Sequence, residues 1–130
     1  EQEGIYGTKG EPAEDNVPGA RYESASWTDK NGDLWLFGGH YGKKNYKDYL
    51  NDLWRYDPDT NEWTWMNGSD TVSQAGVYGT KGTPDDANMP GARYESISWI
   101  DSPGNNGNNN HLYLHQATHF FPMVVEVLKK

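Results

Sequence analysis

Residues 51–65 read NDLWRYDPDTNEWTW. Two apolar, aromatic-rich runs flank Asp57-Pro58-Asp59-Thr60-Asn61. Pro removes a ladder donor and Asp and Asn favour tight turns, so this stretch reads as a β-hairpin. Its strands are expected near 52–57 and 62–66, with Asn67-Gly68 closing the second. Working towards the N-terminus, Asp33-Leu34-Trp35-Leu36-Phe37 is a nearly continuous apolar run, as expected of a strand buried on both faces. It stops at Gly38-Gly39. Before it, Asp29-Lys30-Asn31-Gly32 has the Asn-Gly signal of a tight hairpin turn. Tyr22–Thr28 supplies one more short strand. Residues 20–67 are therefore expected to form a four-stranded antiparallel meander, with strands near 22–28, 33–38, 52–57 and 62–66. No long helical periodicity is present in residues 1–103.

Part of this pattern recurs. Residues 4–28, GIYGTKGEPAEDNVPGARYESASWT, return as residues 76–100, GVYGTKGTPDDANMPGARYESISWI. The offset is 72 residues without a gap, and 17 of 25 positions are identical. Repetition of this kind signals stacked structural units. The second copy breaks off after Trp99. Where Asp-x-x-Gly-x-Leu-Trp-Leu-Phe-Gly-Gly is due, the chain runs Ser102–Asn110 and then HLYLHQATHFFPMVVEVLKK. His111–Leu114 resembles the second strand, but the Gly pair and the last two strands are missing.

Composition bounds the partners. The chain has 130 residues, 34% hydrophobic and 14% aromatic, with six Trp and 15 Gly. Mean hydropathy is -1.00. Disordered chains are poor in aromatics, so this Trp-rich composition reads as short strands joined by many turns. The net charge is -8 with no contiguous basic patch. That argues against nucleic acid and against an anionic membrane surface. No run approaches the 18 apolar residues of a membrane helix. With no Cys, disulfides and thiolate metal sites are excluded. No cofactor is implied.

Four consecutive short antiparallel strands make one blade of a β-propeller. Gly38-Gly39 after an apolar strand, then Tyr56 and Trp63, with the Asn-Asp-Leu-Trp-Arg-Tyr-Asp-Pro stretch, resemble the kelch repeat. The whole is similar to secreted bacterial proteins of tandem Trp-rich kelch repeats. The resemblance covers residues 4–100. Kelch repeats have a period of about 50 residues. The longer spacing here implies an insert over about residues 67–91, between the last strand of one blade and the first of the next. The expected organisation is an inter-blade loop at 1–19, a complete blade at 20–67, an insert at 68–91, a partial second blade at 92–115 and an atypical tail at 116–130. The fold class expected is all-β, an incomplete kelch-type propeller. The chain reads as a piece of a longer repeat protein, extracellular or at the cell surface. A lone blade with open edges is expected to be weakly folded or to self-associate.

The resemblance implies a binding module that recognises a protein or a glycan through the loops on one face. Those loops are expected at 39–51 and 67–93. The first carries Tyr41, Lys43, Lys44, Tyr46, Lys47 and Tyr49, a composition suited to recognition; Arg21 and Arg93 accompany them as repeat-related cations that anchor the strand or face the loops. Gly38, Gly39, Tyr56 and Trp63 read as structural. Trp54, Trp63 and Trp65 read as core packing between neighbouring blades, with sugar stacking the alternative. Glu23 and Glu95 read as copies of one structural role rather than a catalytic pair. His111, His115 and His119 have helical i, i+4, i+8 spacing, but no carboxylate accompanies them and no metal site is assigned. Kelch-type relatives include copper radical oxidases and sialic acid mutarotases. The oxidase's Cys–Tyr crosslink is impossible without Cys, and a mutarotase needs a complete propeller. An enzyme acting on sugars is therefore the alternative to a binding module.

Overall fold

The computed structural model describes residues 2–42, 47–83, 85–100 and 112–116. Among them there are only strands, turns and loops. The strands are β1 (Pro12–Ala13), β2 (Arg21–Tyr22), β3 (Ala25–Thr28), β4 (Leu34–Tyr41), β5 (Tyr49–Asp57), β6 (Glu62–Asn67), β7 (Ser96–Ile100) and β8 (Leu112–Gln116). The main sheet runs β1-β6-β5-β4-β2, with β3 also on β4, and β7 pairs with β8 separately. Every pairing is antiparallel. This is the kelch-type meander of an incomplete propeller, all-β and open.

The structure departs from the sequence expectation in instructive ways. The first strand is broken in two at Glu23, which adopts φ 58. Positive φ is costly for a side chain with a Cβ, and Glu95 repeats it at φ 50. The second strand does not stop at Gly38-Gly39 but continues to Tyr41, and β5 begins at Tyr49. The loop expected at 39–51 is therefore confined to residues between Tyr41 and Tyr49. At the glycine pair the register shifts between Phe37 and Gly39. Gly38 has φ 62 and Gly39 has φ 101, and an added Cβ would meet Arg93 O at 2.8 Å or Tyr22 O at 2.8 Å. Backbone approaches this close admit only glycine. At the first turn, Gly32 alone takes positive φ, at 93°. There the Asp29 carboxylate does the work Asn31 was expected to share, accepting from Asn31 N, Asp33 N and Trp35 Nε1.

The largest departure concerns residues 2–20. They do not trail away as a loop. They fold back onto the outer strand, where Pro12 and Ala13 pair with Thr64 and Trp63. Gly10 N donates to Trp65 O at 2.8 Å. One sheet face is thus covered by this first insert. The other is covered by the second insert, whose Met89 joins Ala25, Trp35, Phe37 and Leu53 in the core. Ser98 Oγ on β7 donates to Ser26 O, tying the second repeat to β3.

Candidate binding site

Asp52 organises the first face. It lies on β5 with no exposure and accepts four hydrogen bonds. Arg21 Nη1 and Nη2 reach its two oxygens at 2.7 and 2.8 Å. Tyr6 OH donates at 2.7 Å and Trp54 Nε1 at 2.8 Å. A buried carboxylate is tolerated only when paired and hydrogen-bonded in this way. Burial acts to lower the Arg21 pKa, but Asp52 outweighs it and raises the value. Burial, then the Asp52 charge, pushes the Tyr6 hydroxyl well above the usual phenol range. Arg21 also donates to Gly19 O and Gly38 O, so its guanidinium is held on every side. The Tyr6 ring packs against Trp54 and Trp65 at 4.9 and 5.0 Å.

Above this base the insert and the blade leave a cavity of about 350 Å³. Glu3, Gly4, Tyr6 and Gly19 form its insert wall, Arg21, Tyr41 and Leu50 its strand wall, and Asp70 and Val72 the far rim. Arg21 and Tyr41 stand opposite each other in the β2–β4 register, which brings them to one face. Hydroxyl-accepting carboxylates, a tyrosine and a fixed cation make a polar recess able to hold one small ligand group.

The opposite face carries a second cluster. His40, 4% exposed, stacks on Tyr22 at 4.8 Å and meets Tyr49 and Tyr94 at 4.7 and 4.3 Å. Its Nε2 lies 3.6 Å from Glu23 Oε2, while its Nδ1 is buried without a hydrogen bond. Tyr49, then burial, raises the Tyr94 pKa. Here the two repeats meet, since Tyr94 belongs to the second.

The loop residues expected to act together are divided by this arrangement. Tyr41 lines the cavity, whereas Tyr49 faces the other way into the His40 cluster. Lys47 is exposed, and its carbonyl accepts from Ser73 Oγ at 2.7 Å. Lys43, Lys44 and Tyr46 lie outside the described residues. Arg21 lines the cavity as a structural clamp. Arg93 is buried on the other face, its backbone bonded to Gly39 and Leu50. Tyr56 bonds Asn61 and packs on Trp63. Trp54 is fully buried, and the first insert covers it together with the half-buried Trp63 and Trp65. The backbone of His115 pairs with Ile97 on β7. His111 and His119 lie outside the described residues, as does most of the tail. Sequence reasoning missed Glu3, Tyr6, Asp52 and Asp70. The recurrence of Tyr6 as Tyr78 was the available signal for the insert's packing role.

Residues 30–64 match the family model of the Kelch motif. No curated protein and no solved structure matches the chain.

Proposed function

We propose that this chain, in which residues 30–64 form a kelch repeat, is a binding module that takes a glycan or a protein at the cavity beside Arg21 and Tyr41. The observation that carries this reading is the cavity itself. It opens over a base held rigid by the Asp52 network, so a ligand meets preorganised walls rather than a loop that must first be ordered. Glu3 and Asp70 supply acceptors suited to sugar hydroxyls, and Tyr41 a ring for the sugar's apolar face. A volume of about 350 Å³ suits one sugar unit or one partner side chain. The exposed Lys47 near the cavity's strand wall favours the protein reading as the second choice. Arg21 has no role in capture, because its donors are committed to Asp52 and two carbonyls.

A glycan array followed by NMR titration of the full chain tests this. Tyr41→Ala and Asp70→Ala should each weaken binding about tenfold or more, with the thermal transition unchanged. A ligand that binds both variants as well as the parent places recognition elsewhere. Release of an altered sugar in the same titration would favour the sugar-acting enzyme over the binding module.

A further inference from the structure

The second insert is built like the first, yet the surface that the first insert buries is bare in the second. The two share their internal structure closely. Ile5 bridges Val17 and Val77 bridges Met89. Asn16 Nδ2 donates to Glu11 O, and Asn88 Nδ2 to Thr83 O. Arg21 Nε donates to Gly19 O and Arg93 Nε to Gly91 O, both at 3.0 Å. The Tyr6 ring lies over Gly4 and the Tyr78 ring over Gly76. Each Tyr, Lys, Asn and Arg is therefore preset in the same arrangement.

What differs is the partner. In the first copy Tyr6 and Arg21 hold Asp52, Lys9 Nζ bonds Gly68 O and sits 4.3 Å over the Trp65 ring, and Asn16 adds a second bond to Trp63 O. In the second copy Tyr78 is 49% exposed and Lys81 is exposed, and Asn88 is less buried than Asn16. Residues 117–130 contain neither Asp nor Trp, so they cannot repeat the surface that Tyr6 and Arg21 meet.

We infer that Tyr78, Lys81, Asn88 and Arg93 form a docking face for the third and fourth strands of another kelch-type blade, one that carries a buried Asp beside a Trp-x-Trp strand. A second intact copy of this chain does not fit, because its Asp52 is already held by its own Tyr6 and Arg21. The occupant is a blade whose strand pair has no insert of its own seated on it. This inference stands apart from the cavity and its ligand.

The probe is a fluorescent, backbone-cyclised hairpin of the sequence of residues 49–67, closed because an isolated two-stranded hairpin is marginal in water. It is titrated by anisotropy against the full 130-residue chain. Saturable binding is expected. Tyr78→Ala, an exposed site that leaves the fold intact, should weaken it about tenfold, and Lys81→Glu should weaken it further. A hairpin with Asn in place of the residue-52 Asp should bind at least tenfold more weakly, because a paired charge is lost. No binding by a hairpin shown by NMR to be folded would overturn the inference. So would binding indifferent to Tyr78, Lys81 and the hairpin Asp.

Discussion

Residues 4–28 and 76–100 are nearly the same sequence in nearly the same conformation, but opposite sides of them are buried. In the first copy the Tyr6 side is against the blade, and Asn16 is 4% exposed. Val17 and Pro18 on its reverse are only half-buried. In the second copy the reverse side is inside. Met89 is 5% exposed and Pro90 is among the most buried side chains, while Tyr78 stands in solvent. The insert is thus a wedge with two working faces. One grips the blade that follows it in sequence, and the other caps the blade that precedes it. A unit of this kind stacks blades without direct sheet-on-sheet contact, which accounts for the 72-residue spacing.

The comparison is broken most severely at Asp52, which has no counterpart beneath the second insert. Asp52→Ala should cost about 3–5 kcal/mol, because it strands the buried Arg21 cation and removes the acceptor of Tyr6 and Trp54. Chemical denaturation of the full chain measures this. A loss below about 1 kcal/mol would mean that the first insert is not seated through this carboxylate.

A smaller effect sharpens the same contrast. Tyr6→Phe should cost about 1 kcal/mol, the worth of a hydrogen bond to a charged acceptor at the low end. Tyr78→Phe should stay within about 0.5 kcal/mol of the parent, as expected of an exposed position. The pair also differs in alkali. The Tyr6 hydroxyl is raised in the folded state, so its contribution is fully present below the unfolded value of about 10 and is lost as pH rises above it. Stability measured from pH 9 upward should therefore fall more steeply in the parent than in Tyr6→Phe. Equal slopes would show that the phenol is not buried on Asp52.

Much of the blade was legible in the sequence. Apolar runs separated by Asn-Gly and Asp-Pro turns located β4, β5 and β6, since those signals act over a few residues. The glycine pair was recognised, but not that it is a bulge within a continuing strand. Its cause is the Arg93 backbone, more than 50 residues away in the chain. The inserts were read as loops because Gly and Pro punctuate them and they lack alternation. Their structure comes from partners supplied at long range, as with Tyr6 and Asp52, 46 residues apart. The cavity was hidden for the same reason. Of the expected loop residues only Tyr41 reaches it, and the first insert supplies the wall opposite.

The two-faced wedge is tested most directly by crossing the faces between copies. Equilibrium unfolding of Asn16→Ala, Asn88→Ala, Val17→Ala and Met89→Ala in the full chain gives four stability losses. Asn16 should cost about 1–3 kcal/mol and exceed Asn88, because only its loss strands Trp63 O. Met89 should cost about 2–5 kcal/mol and exceed Val17, because only it lies in the core. The account predicts this crossed pattern, the first copy sensitive on one face and the second on the other. The same copy proving more sensitive at both positions would contradict it.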